Sequence, residues 1–159
     1  MPLDYIEIAK SEGASCVLGG GKAVRPECGE GWFVEPTVYT GVKPEMRIAQ
    51  EEVFGPVLSV ITFDDEEEAI EIANDTQYGL AAGVWTQNMG TAFAMAERLE
   101  AGTVWINTYR ATSYLSPFGG YKRSGIGRES GLTAIREHLQ EKSVWIDTIG
   151  EVANPFVER

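Results

Sequence analysis

The amino-acid sequence predicts an α/β fold, a parallel sheet with flanking helices. Three short runs are almost continuously apolar, at Val57 to Phe63, Ala81 to Thr86 and Thr103 to Ile106. Two stretches with one apolar face separate them, Glu66 to Asn74 and Gly90 to Leu99. Strands of this kind are buried on both faces and joined by right-handed crossovers through helices. We therefore expect one parallel sheet, with ligands beyond the carboxyl ends of its strands.

The residues before this unit predict a helix and two strands. Leu3 to Glu12 places Ile6 and Ala9 on one side, as an amphipathic helix does. A short strand, Ser15 to Leu18, is followed by three glycines that predict a turn. Phe33 to Thr40 alternates in polarity and contains a proline, which favours an edge strand.

After the unit, the sequence predicts one more helix and one more strand. The helical pattern covers roughly Glu129 to Leu139, and Ser143 to Asp147 alternates as a strand does. This last strand has no partner next to it in the sequence. Because an unpaired strand edge seeks a partner in another chain, we expect it to serve assembly.

Composition limits the possible functions. The 159 residues carry a net charge of −11, which argues against binding to nucleic acid or to an anionic membrane. The sequence contains no apolar run of the roughly 20 residues that a membrane span needs and no basic-then-apolar leader, so we expect a soluble, cytoplasmic protein. Cys16 and Cys28 are too few for a disulfide scaffold or a zinc site. The single histidine, His138, is expected on a solvated helix, and we expect no metal site.

The most unusual stretch is Pro117 to Gly131, PFGGYKRSGIGRESG. Glycine at this density indicates close backbone approach or positive φ. A phosphate cradle is disfavoured because Gly125, Gly127 and Gly131 read GxGxxxG, one residue longer than the dinucleotide fingerprint. Two alternatives remain, a loop that positions side chains such as Phe118 at a cleft and a purely structural connection. Since the stretch follows the third strand, we expect it at the carboxyl ends of the strands.

Two adjacent glutamates open a second notable stretch, EEVFGPV, from Glu51 to Val57. The ordinary interpretation is a solvated carboxylate pair entering a strand, with Phe54 in the core. The functional interpretation is a carboxylate that binds a ligand beside an aromatic side chain. The residues alone leave both open.

Four motifs in order resemble the aldehyde dehydrogenase superfamily. They are EEVFGPV, YGLAAGVWT (Tyr78 to Thr86), AGTVWIN (Ala101 to Asn107) and PFGGYKRSGIGRESG. The chain resembles only the last third of such an enzyme. The resemblance implies that residues 1–141 are part of the catalytic domain and that residues 142–159 are an oligomerisation strand and a C-terminal tail.

The resemblance also implies a function. Members of the superfamily oxidise an aldehyde to a carboxylic acid through a cysteine thioester, with NAD or NADP as hydride acceptor. The nucleophile, the base and the nucleotide domain all lie upstream of the matched region, so we expect this chain alone to be inactive. Neither of its cysteines resembles the nucleophile. A homo-oligomer is expected, and the alternative is a non-enzymatic, truncated assembly module.

Site residues follow from the same motifs. Glu52 corresponds to the carboxylate that accepts hydrogen bonds from the two hydroxyls of the nicotinamide ribose, and Phe54 to the aromatic near the nicotinamide. Asn107 corresponds to an asparagine close to the active site. Glu129 matches an acidic residue that is often near the inner water path of the substrate tunnel.

Arg110, Thr112 and Phe118 correspond to the wall of that substrate tunnel. Thr112 stands where many members have a second aromatic, so a flat hydrophobic substrate is less expected. The guanidinium of Arg110 would suit a semialdehyde that carries a carboxylate, since its planar fork can donate two parallel hydrogen bonds. The alternative is an exposed arginine paired with a nearby acid.

Overall fold

The computed structural model describes residues 2–29, 31–148 and 150, and it confirms the α/β class. The helices are α1 (Pro2–Ser11), α2 (Arg47–Gln50), α3 (Glu66–Asn74) and α4 (Met89–Arg98). The strands are β1 (Ser15–Leu18), β2 (Thr37–Thr40), β3 (Val57–Ser59), β4 (Tyr78–Gly79), β5 (Ala81–Val84), β6 (Thr103–Ile106) and β7 (Tyr121–Lys122). Short 3₁₀ segments occur at Pro26–Cys28 and Leu132–His138.

The first sheet has the order β1-β2-β3, with β2 antiparallel to β1 and parallel to β3. The prediction of an edge strand at Phe33 to Thr40 is therefore wrong, because β2 lies in the middle. The proline that suggested an edge, Pro36, precedes the strand. The first strand amide, that of Thr37, donates to the carbonyl of Pro56, 2.8 Å away.

The second sheet region pairs β5 with β6 in parallel, from Ala81 opposite Thr103 to Val84 opposite Ile106. The expected parallel pairing of these two strands is confirmed, but their union with β3 in one sheet is wrong. Instead, β3 pairs with β2, and its Val57 packs against the cluster under α1. The packing of Val57 against the cluster under α1 favours β2 as the partner of β3. The order of the elements along the chain does not reveal this partner.

The hydrophobic core lies between α1, the first sheet and α2. Its buried members are Ile6, Ala9, Ala14, Tyr39, Val42, Met46 and Ile48. Tyr39 is fully buried, and its hydroxyl donates to the carbonyl of Ile6 over 2.9 Å. A buried hydroxyl needs such a partner, so this bond fixes α1 on the sheet.

Side-chain caps begin α3 and α4, as the acidic and polar residues before them favour. The carboxylate of Asp65 accepts from the amide of Glu68 at 2.9 Å. The side chain of Asn88 accepts from the amides of Gly90 and Thr91. Both caps satisfy amides that the first helical turn leaves unpaired.

The glycine-rich stretch does not lie where the sequence predicted. A Cβ at Gly102, just before β6, would come 1.7 Å from the carbonyl oxygen of Gly119. In addition, β7 is antiparallel to β4, which precedes β5. The chain therefore leaves the carboxyl end of β6 and returns to the amino ends of β5 and β6, and the expected location at the carboxyl ends is wrong.

The residues after Gly131 also differ from expectation. Leu132–His138 is a 3₁₀ segment with exposed Leu132 and Ile135, and not an α-helix. A short helix gains most of its stability from packing its apolar face. The apolar side chains of this segment are exposed, so it does not gain that stability. Residues 143–147 form no strand here, and Val144, Trp145 and Ile146 are exposed.

Within residues 2–29, 31–148 and 150, no helix has both the length and the apolar character that crossing a bilayer requires.

The contact between Gly102 and Gly119 predicts that Gly102→Ala destabilises the chain by about 1–3 kcal/mol or more, because the methyl group overlaps backbone atoms that cannot rotate away. The measurement is urea denaturation followed by far-UV circular dichroism.

Gly127→Ala is the matched control, since a Cβ there meets no atom within 4 Å. Equal midpoints for the two variants and the parent chain would contradict the assigned contact.

Candidate functional site

A cleft of about 510 Å³, here the Glu52 cleft, lies beside the amino end of β5. Its polar lining includes Glu52, Asn74, Thr76, Glu100 and Arg123. Within the described part of the chain, the Glu52 carboxylate has no hydrogen-bond or ion-pair partner. An ionised carboxylate is an acceptor only, so Glu52 is available to bind hydroxyl or amide donors of a ligand.

The neighbouring glutamate has the opposite environment. The Arg47 guanidinium donates from Nε and Nη2 to the two oxygens of Glu51, each over 2.8 Å, and the Tyr5 hydroxyl donates to Glu51 Oε2 over 2.7 Å. The bidentate Arg47 bond, with the Tyr5 bond added, lowers the pKa of Glu51 to about 2. Glu51 is thus ionised, and both of its oxygens accept hydrogen bonds, although its side chain is 35% exposed.

Phe54 has an unusual conformation for an aromatic residue. Its φ is 49°, and its side chain is 89% exposed. The ordinary interpretation of this stretch, which places Phe54 in the core, is therefore wrong. An exposed aromatic held in the left-handed region costs on the order of 1–2 kcal/mol, so the surrounding structure has to impose it.

A second cleft, of about 620 Å³, lies under the loop that follows β6 and is here called the Phe118 cleft. It brings together three predicted site residues, Thr112, Phe118 and Glu129. The backbones of Phe118 and Glu129 exchange two hydrogen bonds, of 2.8 and 2.9 Å. This pair joins the two sides of the loop, and the Glu129 side chain remains exposed at the cleft.

Asn107 and Arg110 are outside the linings of both clefts. The Asn107 side chain bridges the ends of β5 and β6, since its Oδ1 accepts from the Thr86 amide at 2.9 Å and its Nδ2 donates to the Thr86 carbonyl at 2.7 Å. The backbone of Asn107 has positive φ, 52°. Arg110 also has positive φ, 56°, and is exposed.

The loop after β6 folds back onto the strand through Trp105. The indole nitrogen donates to the carbonyl of Ala111 at 2.8 Å, and the ring meets Tyr109 edge-on at a centroid distance of 5.7 Å. Thr112 therefore faces the Phe118 cleft from a loop anchored on both sides of Arg110.

The cations of the glycine-rich stretch are bound to protein oxygens. Lys122 Nζ lies 2.6 Å from a carboxylate oxygen of Glu100 and donates to the carbonyls of Asn74 and Thr76. Arg128 donates to the carbonyls of Gly120 and Gly127, each over 2.9 Å. These bonds favour a structural role for Lys122 and Arg128.

The cysteines and the histidine are peripheral to both clefts. Cys16 contacts the carbonyls of Leu18 and Gly19, Cys28 ends a 3₁₀ segment, and both are free thiols. His138 is exposed in the last 3₁₀ segment. The described residues contain no group of three or more side chains suited to hold a metal ion.

Sequence reasoning missed the ion pair beside Glu52. The spacing of Arg47 and Glu51, four residues apart, is a recognised signal for such a pair on a helix. Tyr5 could not be found in this way, because 46 residues separate it from Glu51. The Phe118 cleft likewise includes Tyr114, which lies in none of the four motifs, and Ser130, which lies in the last motif but was given no role.

Residues 2–144 match the aldehyde dehydrogenase family, and the chain belongs to this family. It is 51% identical over 152 residues to a betaine aldehyde dehydrogenase of Mesorhizobium japonicum, covering 96% of this chain and 31% of that protein. It is 50% identical to the putative aldehyde dehydrogenase DhaS of Bacillus subtilis, covering 91% of this chain and 28% of that protein. The chain thus spans about a third of the length of these relatives.

Solved structures give the same result. A betaine aldehyde dehydrogenase variant of Staphylococcus aureus, in complex with NAD⁺, superposes with a TM-score of 0.88 at 44% identity, over 99% of this chain and 32% of that one. The indole-3-acetaldehyde dehydrogenase AldA of P. syringae, a C302A mutant in complex with NAD⁺ and IAA, gives a TM-score of 0.84 at 52% identity, over 91% and 29%. The fold is that of part of an aldehyde dehydrogenase.

Proposed function

We propose that this chain is the C-terminal part of an NAD(P)-dependent aldehyde dehydrogenase, which oxidises an aldehyde to a carboxylic acid through a cysteine thioester. The nucleophile, the base and the nucleotide domain belong to the part of the enzyme upstream of the matched segment. One observation carries the proposal beyond family membership. An unpaired carboxylate, Glu52, lines a cleft two residues before an exposed aromatic, Phe54, in a strained conformation.

The cofactor-binding residues of this segment are Glu52 and Phe54. Glu52 accepts hydrogen bonds from the ribose diol, for which an unpaired, acceptor-only carboxylate is suited. Phe54 offers an exposed flat face beside the nicotinamide. The cofactor, when bound, supplies the hydride acceptor, and these two side chains orient it.

The substrate tunnel is formed in part by the Phe118 cleft. Phe118 supplies its apolar wall, and Thr112 leaves room where a second aromatic would narrow it. Glu129 lies at the same cleft and is proposed to be near the active site. Asn107 is proposed to lie close to the active site, at the end of β6. Its side-chain amide is hydrogen-bonded there to the backbone of Thr86, which follows β5.

Assembly is the role proposed for the end of the chain, residues 142–159. The exposed Val144, Trp145 and Ile146 support it, because consecutive apolar residues on a surface favour a protein contact. The same exposure favours the second candidate function, a non-enzymatic assembly module. A homo-oligomer in the cytoplasm is expected in both cases.

The isolated 159-residue chain is predicted to self-associate and to lack aldehyde dehydrogenase activity. Self-association is expected because apolar residues are exposed. Inactivity is expected because neither Cys16 nor Cys28 lies in a sequence that resembles the surroundings of the family's nucleophile. The measurements are light scattering across a concentration series and NADH absorbance with an aldehyde and NAD⁺.

Deleting residues 143–159 provides the control for assembly and should lower the mass. A clean monomer at high concentration, or an unchanged mass after the deletion, would contradict the assembly proposal. Steady NADH production that is lost in Cys16→Ser or Cys28→Ser would contradict the assignment of the nucleophile to another part of the enzyme.

In the full-length enzyme, Glu52→Gln is predicted to slow hydride transfer. The amide replaces one acceptor oxygen by a donor and removes the charge, which weakens the grip on a diol by roughly 1.5–3 kcal/mol, the worth of a charged hydrogen bond. Single-turnover absorbance of NADH measures the step directly.

Glu35→Gln is a control of the same chemistry at a half-buried glutamate outside the Glu52 cleft. An unchanged single-turnover rate in Glu52→Gln would refute the assignment of Glu52.

Arg110 is proposed to favour a semialdehyde that carries a carboxylate. Its guanidinium follows a strand end in the tunnel-forming loop, beside the small Ala111 and Thr112. Relatives named for betaine aldehyde offer a competing substrate, whose fixed positive charge a guanidinium repels. The two substrates therefore demand opposite effects from the same side chain.

Arg110→Ala in the full-length enzyme should weaken binding of an acid-bearing aldehyde by roughly 1.5–3 kcal/mol. A neutral aldehyde of equal length should be almost unaffected. The measurement is kcat/KM for aldehydes of matched length with an acidic, neutral or quaternary ammonium end. Equal losses for the acidic and neutral aldehydes, or none for either, would mean that Arg110 is structural.

A further inference from the structure

We propose that Tyr5 and Arg47, acting through Glu51, are positioning residues that hold Glu52 and Phe54 in their binding geometry. This inference rests on the proposed function of Glu52 and Phe54. It assigns to α1 and α2, which line neither cleft, a role in cofactor binding.

The backbone from Glu51 to Phe54 places alternate side chains on opposite sides. Glu51 is extended, with φ −112° and ψ 149°. Glu51 and Val53 are half-buried, and Val53 packs against the core cluster. Glu52 and Phe54 are exposed. Since neighbouring side chains of an extended segment point to opposite faces, fixing Glu51 and Val53 from one side fixes the presentation of Glu52 and Phe54 on the other.

The α1 helix holds this segment at both ends. Tyr5 donates its hydroxyl to Glu51, 2.7 Å away. At the other end, a Cβ on Gly55 would come 2.8 Å from the ring of Pro2, so the helix start lies directly against Gly55. Two contacts from one helix therefore span the residues that carry Glu52 and Phe54.

Arg47 completes the arrangement from α2. Its two donors bind both oxygens of Glu51, its guanidinium carbon lies 5.7 Å from the centre of the Tyr5 ring, and its own amide donates to a carboxylate oxygen of Glu12 in the residue following α1. The bidentate fork sets the orientation of the Glu51 carboxylate, which a single bond would leave free to rotate. This restraint helps to maintain the positive φ of Phe54, which needs support from outside.

The test compares Glu51→Gln and Tyr5→Phe with Glu52→Gln in the full-length enzyme. Calorimetry gives the Kd for NAD⁺, and initial rates give separate KM values for cofactor and aldehyde. We expect Glu51→Gln and Tyr5→Phe to weaken NAD⁺ binding about 3- to 10-fold, the equivalent of one hydrogen bond. The aldehyde KM should stay within about twofold, because the hydrogen bonds of Tyr5, Arg47 and Glu51 among the described residues reach none of the residues that line the Phe118 cleft.

Glu67→Gln is the matched control. Glu67 also forms a bidentate pair with an arginine, Arg98, that joins α3 and α4 on the exposed surface. It should change neither constant. Arg47→Lys keeps the positive charge but cannot donate two parallel hydrogen bonds. It should therefore lose as much NAD⁺ affinity as Tyr5→Phe, which means that charge alone does not restore binding. If Glu51→Gln is too unstable to purify, Tyr5→Phe alone carries the test, since it removes one hydroxyl and keeps the ring.

Each outcome supports or overturns the proposal. If Glu52→Gln weakens NAD⁺ binding while Glu51→Gln and Tyr5→Phe do not, the positioning role is wrong and the role of Glu52 stands. If Glu52→Gln has no effect either, the proposed function itself fails. If cofactor and aldehyde constants change equally in Tyr5→Phe, the cluster is merely structural.

Discussion

The close approach of the backbone at Gly102 and Gly119 is the constraint on which both clefts depend. It holds the start of the glycine-rich stretch against the amino end of β6, and β7 then pairs with β4. Arg123 and Ser124 follow directly and line the Glu52 cleft. The loop that must span from the carboxyl end of β6 back to Gly119 encloses the Phe118 cleft. A side chain at Gly102 would separate surfaces that together define the candidate site.

Local patterns predicted the elements of this fold well, and lateral pairing poorly. Glu66 to Asn74 and Thr103 to Ile106 were predicted to the residue, because apolar periodicity and capping act within a few positions of the chain. The partner of β3 was predicted wrongly. The local pattern shows that Val57 needs an apolar surface to pack against, but it does not show which surface, distant in sequence, provides it. The final helix failed for a related reason. Leu132 and Ile135 are exposed, so no surface within the described residues buries the apolar side chains that this helix would need to pack.

The candidate site shows the same division. Thr112, Phe118 and Glu129 were named from the family resemblance, and the structure brings them to one cleft. Asn107, Arg110 and Phe54 were named from the same resemblance, and they line neither cleft. The resemblance names residues of a complete site, whereas the cavities of this chain depend on the surfaces that its own described residues form. Positive φ at these last three residues is the physical trace that they share. Such conformations persist only where the surroundings impose them.

The adjacent glutamates explain why a carboxylate pair cannot be interpreted from sequence alone. Glu51 and Glu52 have the same side chain and the same chemistry in the unfolded chain. They differ only in the residues that surround them in the folded structure. Glu51 meets Arg47 and Tyr5, which lower its pKa to about 2 and occupy both of its oxygens. Glu52, one residue on and on the opposite face, receives no such donor within the described chain and keeps its acceptor capacity. The carboxylate of Glu51, whose two oxygens already accept three hydrogen bonds, is therefore suited to fix the backbone, and the carboxylate of Glu52, whose acceptor sites are open within the described chain, is suited to bind a ligand.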